Sequence, residues 1–185
     1  MTRPVAGFAV LITGIATAYT LALLLGMPDP DWAYLARGII HLGELAAIVA
    51  LAMTGAAGTG LLGRLGPGIA GLGALMLAVA EVITESARSL SDTLFAIAPN
   101  LAGIGLILTG IAVIRTGRWA GWRRYVSLVL GVYVFVVVTP VIIVSGGPPA
   151  VPAIGALLVW EVLWVLMAVA ALTDTTEAAH VTASR

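Results

Sequence analysis

The chain has 185 residues, 61% of them hydrophobic and 10% charged, with a mean hydropathy of +1.10 and a formal net charge of zero. Soluble domains carry about a quarter charged residues, so a water-soluble fold is excluded, and the neutral balance offers nucleic acid no electrostatic footprint. Cysteine and lysine are both absent, which excludes disulfides, iron–sulfur ligation, thiol chemistry and a retinal-type Schiff base.

A helix of about 20 apolar residues crosses a hydrocarbon core of about 30 Å, and six segments of this chain qualify. The first spans residues 5–26, with Pro4 suited to an opening turn; it is read as a retained helix, since it is too long for a signal-peptide core. The turn MPDPDW follows. The second segment spans residues 33–54, and a glycine-rich connection leads to the third, residues 67–88. The fourth covers residues 93–115 and is expected to kink or start at Pro99. The fifth covers residues 125–145; its Pro140 leaves the carbonyl of Val136 without a helical donor. The sixth covers residues 153–172, and the polar tail 174–185 is predicted to be disordered.

These segments predict an all-α integral membrane protein, a single bundle of six transmembrane helices over residues 1–173. Arg3, Arg64, Arg115, Arg118, Arg123 and Arg124 fall on one side of such a bundle, which places both termini in the cytoplasm. Trp119, Trp122 and Tyr125 suit the inner aromatic belt. The Ala/Gly/Val/Arg-rich, lysine-free composition points to a bacterial plasma membrane. A weak echo between residues 5–20 and 101–116 is the pattern that inverted repeats would leave.

The chemistry-bearing residues lie inside the apolar segments. Arg37, His41 and Glu44 share one stripe of the second segment, at about 100° per residue. Glu81, Glu85 and Arg88 repeat the i, i+4, i+7 spacing in the third, and the sixth holds Glu161. Charges cost roughly 2.5–3.5 kcal/mol each at mid-helix on insertion scales, so these groups are expected to face one another. Counting 1.5 Å per residue from the expected outer boundary puts Glu44 about 16 Å, Glu81 about 12 Å and Glu161 about 16 Å deep. Asn100 and Tyr19 fall at similar depths. The inner half of the bundle is almost wholly apolar, which argues for a pocket opening outward or sideways and against a through-going channel.

Several acids and one histidine in a dry pocket can hold one carboxyl protonated and another ionised, the requirement for acid–base work. The leading expectation is therefore an integral membrane enzyme acting on a hydrophobic lipid or isoprenoid-like substrate by isomerisation, cyclisation or hydration. Glu44 and Glu81 are the expected acid–base pair, His41 a proton partner and Glu161 an auxiliary acid. Arg37, Glu85, Arg88, Asn100, Tyr19, Trp160 and Trp164 are the expected substrate-binding groups. A proton-linked transporter is the first alternative and a non-catalytic membrane subunit the second. No cofactor or metal is expected: the bundle di-iron pattern repeats Glu-x-x-His, whereas this chain has a single His-x-x-Glu. Membrane lipids and a hydrophobic small molecule are the expected partners, and a homo-oligomer stays open. The arrangement is similar, in architecture alone, to membrane sterol isomerases and membrane terpene cyclases.

Overall fold

The computed structural model describes the backbone of residues 2–183 and the side chains of residues 2–174. Among the described residues the chain is all helical, without strands. The helices are α1 (Thr2–Leu24), α2 (Ala33–Thr54), α3 (Leu61–Ile83), α4 (Arg88–Thr116), α5 (Arg123–Ser145) and α6 (Val151–Ala183). All six are long and apolar enough to cross a membrane, the apolar part of α6 ending at Asp174. Beyond it, the side chains of the expected polar tail, His180 included, lie outside the described residues.

Each helix packs on the next, and α6 closes on α1, giving a ring in chain order; α2 and α6 also touch across it. No matching contact joins α3 to α5 among the described residues, so the symmetry that inverted repeats would impose is incomplete. Large apolar side chains face outward on every helix, among them Leu11, Ile15, Leu72, Val136 and Val144, while the interior is rich in alanine. That distribution inverts the soluble pattern. An apolar solvent such as lipid would give no drive to bury leucine, and helix contacts in such a solvent select small residues that let backbones approach.

The seam between α3 and α4 shows this most clearly. A Cβ on Gly73 would sit 2.5 Å from the amide nitrogen of Ala102 and 2.7 Å from the carbonyl oxygen of Ala98. Gly66 faces Thr109 in the same way. This packing explains why the third helix starts at Leu61 rather than at residue 67. Gly66 lies on that contact surface and Gly63 packs on the carbonyls of the preceding turn, and close backbone packing offsets their poor helix propensity. Pro67 accordingly lies inside α3 and is buried.

The fourth helix also differs from expectation. It begins at Arg88 and runs unbroken through Pro99. The α3–α4 turn is tied by hydroxyls: Ser91 and Thr84 both donate to the carbonyl of Ala80, at 2.8 and 2.9 Å. In α5 the missing donor of Pro140 is accommodated by a wider turn. Residues Val134–Val138 are π-helical, and the Thr139 amide bonds the Val134 carbonyl, five residues back. Such single turns mark places where the i→i−4 ladder cannot be completed. At the opposite end of the bundle, Arg118 donates to the Gly55 carbonyl at 3.1 Å and Thr116 to that of Ala56 at 2.5 Å. These bonds fasten the α2–α3 connection to the end of α4.

The glycine seam makes a signed prediction. Gly73→Val should destabilise the bundle by about 1–3 kcal/mol, the usual cost of overpacking. Gly14→Ala on α1, where a Cβ meets nothing within 4 Å, should be neutral or raise stability through helix propensity. Thermal unfolding of the two variants in one detergent checks both, and equal losses would refute the seam as the tight contact.

Candidate functional site

The charged residues of α2 and α3 meet near the end of the bundle that carries the α1–α2 turn. Gly38 is where these helices come close: a Cβ there would lie 3.2 Å from Val82 and 3.5 Å from the Ala78 carbonyl. One residue earlier, Arg37 reaches across the seam, its Nε donating to Glu81 Oε2 at 2.9 Å. Its Nη1 donates to Asp29 Oδ2 at 2.7 Å, and the Tyr19 hydroxyl donates to the other oxygen of Asp29. Arg37 therefore links α1, α2 and α3 through one guanidinium. It suits that task because its fork of donors is rigid and always charged.

About a turn deeper, His41 Nδ1 lies 2.8 Å from Glu44 Oε2. The second oxygen of Glu44 accepts a hydrogen bond from the indole Nε1 of Trp160 at 3.0 Å. Glu44 is wholly buried, so both of its oxygens are satisfied by side chains alone. The His41 side chain is 15% exposed. Glu161 follows Trp160 on α6, is also buried, and lies close enough to Glu44 for the two carboxyl groups to interact electrostatically. From the ends of α2 and α6, Glu44 and Glu161 lie at about the same depth, roughly 15–16 Å at 1.5 Å per residue.

Glu44, His41 and Glu161 are thus brought together, and Arg37 and Glu81 form an adjoining pair. Glu81 is shallower than its sequence position suggested. Because α3 ends at Ile83, Glu81 sits about 3 Å from the helix end, level with Arg37. The same early end breaks the expected stripe of Glu81, Glu85 and Arg88. Glu85 falls in the connecting turn and is exposed, and Arg88 opens α4, also exposed. Arg88 lines an open groove of about 850 Å³ with Ser89, Asp92, Thr93, Ala96 and Ile97. Asn100 is occupied locally, its amide donating to the Ala96 carbonyl at 2.8 Å. Trp164 is wholly buried, edge to face with Trp160 at 5.5 Å between ring centres.

Two participants escaped the sequence reading. Asp29 looked like part of a polar turn, yet it joins Tyr19 to Arg37. Trp160 looked like substrate wall, yet it is the donor that fixes Glu44. Its direct proximity to Glu161 in sequence was the available signal for the second. Further along the bundle the buried hydroxyls are all consumed by backbone: Thr13 donates to Ala9, Thr109 to Gly105 and Ser127 to Leu106, at 2.7–2.9 Å. Among the described residues, no group of three or more His, Asp or Glu side chains is placed to hold a metal ion. The chain matches no known protein family, no curated protein and no solved structure.

The Glu44 clamp can be tested by coupling. Trp160→Phe leaves one buried carboxyl oxygen unmet and should destabilise by about 1–3 kcal/mol. His41→Leu should act similarly on the other oxygen. Combined with Glu44→Leu, each should show a coupling of about 0.5–3 kcal/mol, because removal of the carboxyl removes the need for its donors. Strict additivity in denaturation of the double variants would mean that the clamp contributes nothing.

Proposed function

We propose that the chain is a multi-pass membrane enzyme that performs acid–base chemistry on a hydrophobic, lipid- or isoprenoid-like substrate. The observation that carries this reading is the one-sidedness of the buried polar groups. Tyr19, Asp29, Arg37, Glu81, His41, Glu44 and Glu161 extend from one end of the bundle to about its middle. Beyond them the interior is apolar, and its hydroxyls are bound to carbonyls. A proton can be held and exchanged at such a dead end, whereas a through path would meet, among the described residues, buried hydroxyls already bound to backbone carbonyls.

The geometry reassigns roles within the expected set. Glu81 is committed to the Arg37 guanidinium, which makes the pair a scaffold for the site mouth. The pair suited to transfer a proton is His41–Glu44. The ring is partly exposed, and the carboxyl is dry. Glu161 is the auxiliary acid beside Glu44. A substrate atom that approaches this pair meets a group whose protonation is controlled by neighbours rather than by water, the condition under which general acid–base catalysis contributes about 10²–10⁴-fold. Sidedness belongs to the same proposal. The arginine-bearing end, with both termini, faces the cytoplasm of a bacterial cell, and the Asp29 end faces outward.

A second reading, a proton-linked transporter, is favoured by the string Tyr19–Asp29–Arg37–Glu81, which leads from the turn toward the dry pair. The two readings separate in one preparation. Purified protein is incubated with a bacterial lipid extract, and the lipids are profiled by mass spectrometry, with Glu44→Gln and Arg64→Gln as variants. Conversion of a lipid species by wild type and Arg64→Gln, reduced about 10²-fold or more in Glu44→Gln, supports the enzyme. An unchanged lipid profile, with Glu44-dependent proton flux in dye-loaded vesicles, overturns it in favour of transport. Sidedness is read separately: a single cysteine at Ala120 should resist impermeant reagents in intact cells and react after lysis.

A further inference from the structure

Two buried polar atoms of α6 find no hydrogen-bond partner in the protein: Oε2 of Glu161 and Nε1 of Trp164. Trp164 is wholly buried and Glu161 is 6% exposed, so bulk water does not serve them. An unmet buried group loses its hydration without replacement, and native interiors satisfy nearly all such groups. Two other polar groups at this helix have their donors engaged elsewhere. The Trp160 indole donates to Glu44 at 3.0 Å, and the Tyr133 hydroxyl on α5 donates to the Ala156 carbonyl at 3.1 Å.

The two atoms are complementary. An indole nitrogen can only donate, and a carboxyl oxygen accepts when ionised. Residues three apart on a helix have Cβ atoms about 5–6 Å apart on one face. That spacing suits one oxygen atom lodged between the two side chains. An anion would be repelled by Glu161 and its neighbour Glu44. A cation would meet an N–H directed at it. A neutral hydroxyl fits both: its oxygen accepts from Trp164, and its proton goes to Glu161. If Glu161 is itself protonated, the hydroxyl oxygen has a second lone pair to accept that proton.

We propose that Glu161 and Trp164 form a binding site for a single neutral hydroxyl group, supplied by a buried water molecule or by the alcohol of a lipid. The site stands on the two unmet atoms and does not depend on the acid–base reading, though it adjoins the Glu44 pair. Were the source a lipid alcohol, the site would hold the polar end of a hydrophobic molecule beside the carboxyl that acts on it. A buried water requires two or more polar partners, which Glu161 and Trp164 provide.

The test reads the Trp164 N–H directly. Ultraviolet resonance Raman spectra of the full chain in lipid nanodiscs, minus those of Trp164→Phe, isolate the hydrogen-bond-sensitive indole band of this residue. A hydrogen-bonded position is expected in the wild type, kept in Glu161→Gln, whose amide oxygen still accepts, and shifted toward the free position in Glu161→Leu. The source is read by delipidation. Retention of the bonded signal in protein shown by native mass spectrometry to be lipid-free identifies water. Loss of the signal together with an alcohol-bearing lipid identifies the lipid. A free N–H signal in the wild type before delipidation overturns the proposal, and this needs no carboxyl variant to fold. A bonded signal unchanged in Glu161→Leu overturns it too, because the two residues would then not share a ligand. Neither result depends on whether the lipid profile or the proton flux changes with Glu44.

Discussion

The Glu44 carboxyl, held between His41 on its own helix and Trp160 on α6, is the constraint around which the bundle is arranged. In water such a contact would be one hydrogen bond among many, worth about 0.5–1.5 kcal/mol net. In an apolar interior the alternative is an unmet carboxyl, which is far costlier. The clamp therefore dictates that α2 and α6 meet, although they are far apart in sequence and not neighbours around the ring. The contact of α2 with α6 across the ring follows from it. So does the placement of Glu161, which follows Trp160 directly and arrives beside Glu44.

Around that constraint the remaining forces divide by region. Toward the α1–α2 turn the helices are joined by charge: Arg37 gathers Glu81 from α3 and Asp29 from the turn. The 34% exposure of the Arg37 side chain and 45% of Asp29 make this an interfacial network, screened and modest in energy, whose main effect is to set orientation. Toward the other end the helices are joined by shape, through alanine and glycine backbones in close approach. The change from charge to shape along the same helices leaves the buried carboxyl groups, among the described residues, in one half only.

Much of the fold was legible in the sequence, because six long apolar stretches leave little choice but six helices. The six segments stood out from length and hydropathy alone, and the convergence of Glu44, His41 and Glu161 followed from the cost of burying charge. Boundaries were less legible. Residues 55–68 read as a connection because glycine is a poor helix former, yet their second half is helical where α4 presses against it. Pro99 read as a break, but α4 carries it without interruption. The stripe of Glu81, Glu85 and Arg88 assumed a helix through Arg88; the turn at Thr84, fixed by Ser91 from the following helix, ended it early. Each of these departures depends on a contact between helices, which periodicity within one segment does not contain.

The wide turn at Val134–Val138 divides α5 into two unequal rods. The longer one carries Val126, Ser127 and Leu130 into the core; the shorter, Thr139–Ser145, buries no residue at all. Its Ile143 and Val144 are 74% and 88% exposed. A helix resists bending through its ladder of hydrogen bonds, and here the ladder changes register just ahead of a segment held from the side only lightly, by Ile142 against the core and by its contact with α6. The joint thereby separates a rod anchored in the core from an arm that turns Ile143 and Val144 outward, so a bend of α5 at this point would disturb few core contacts.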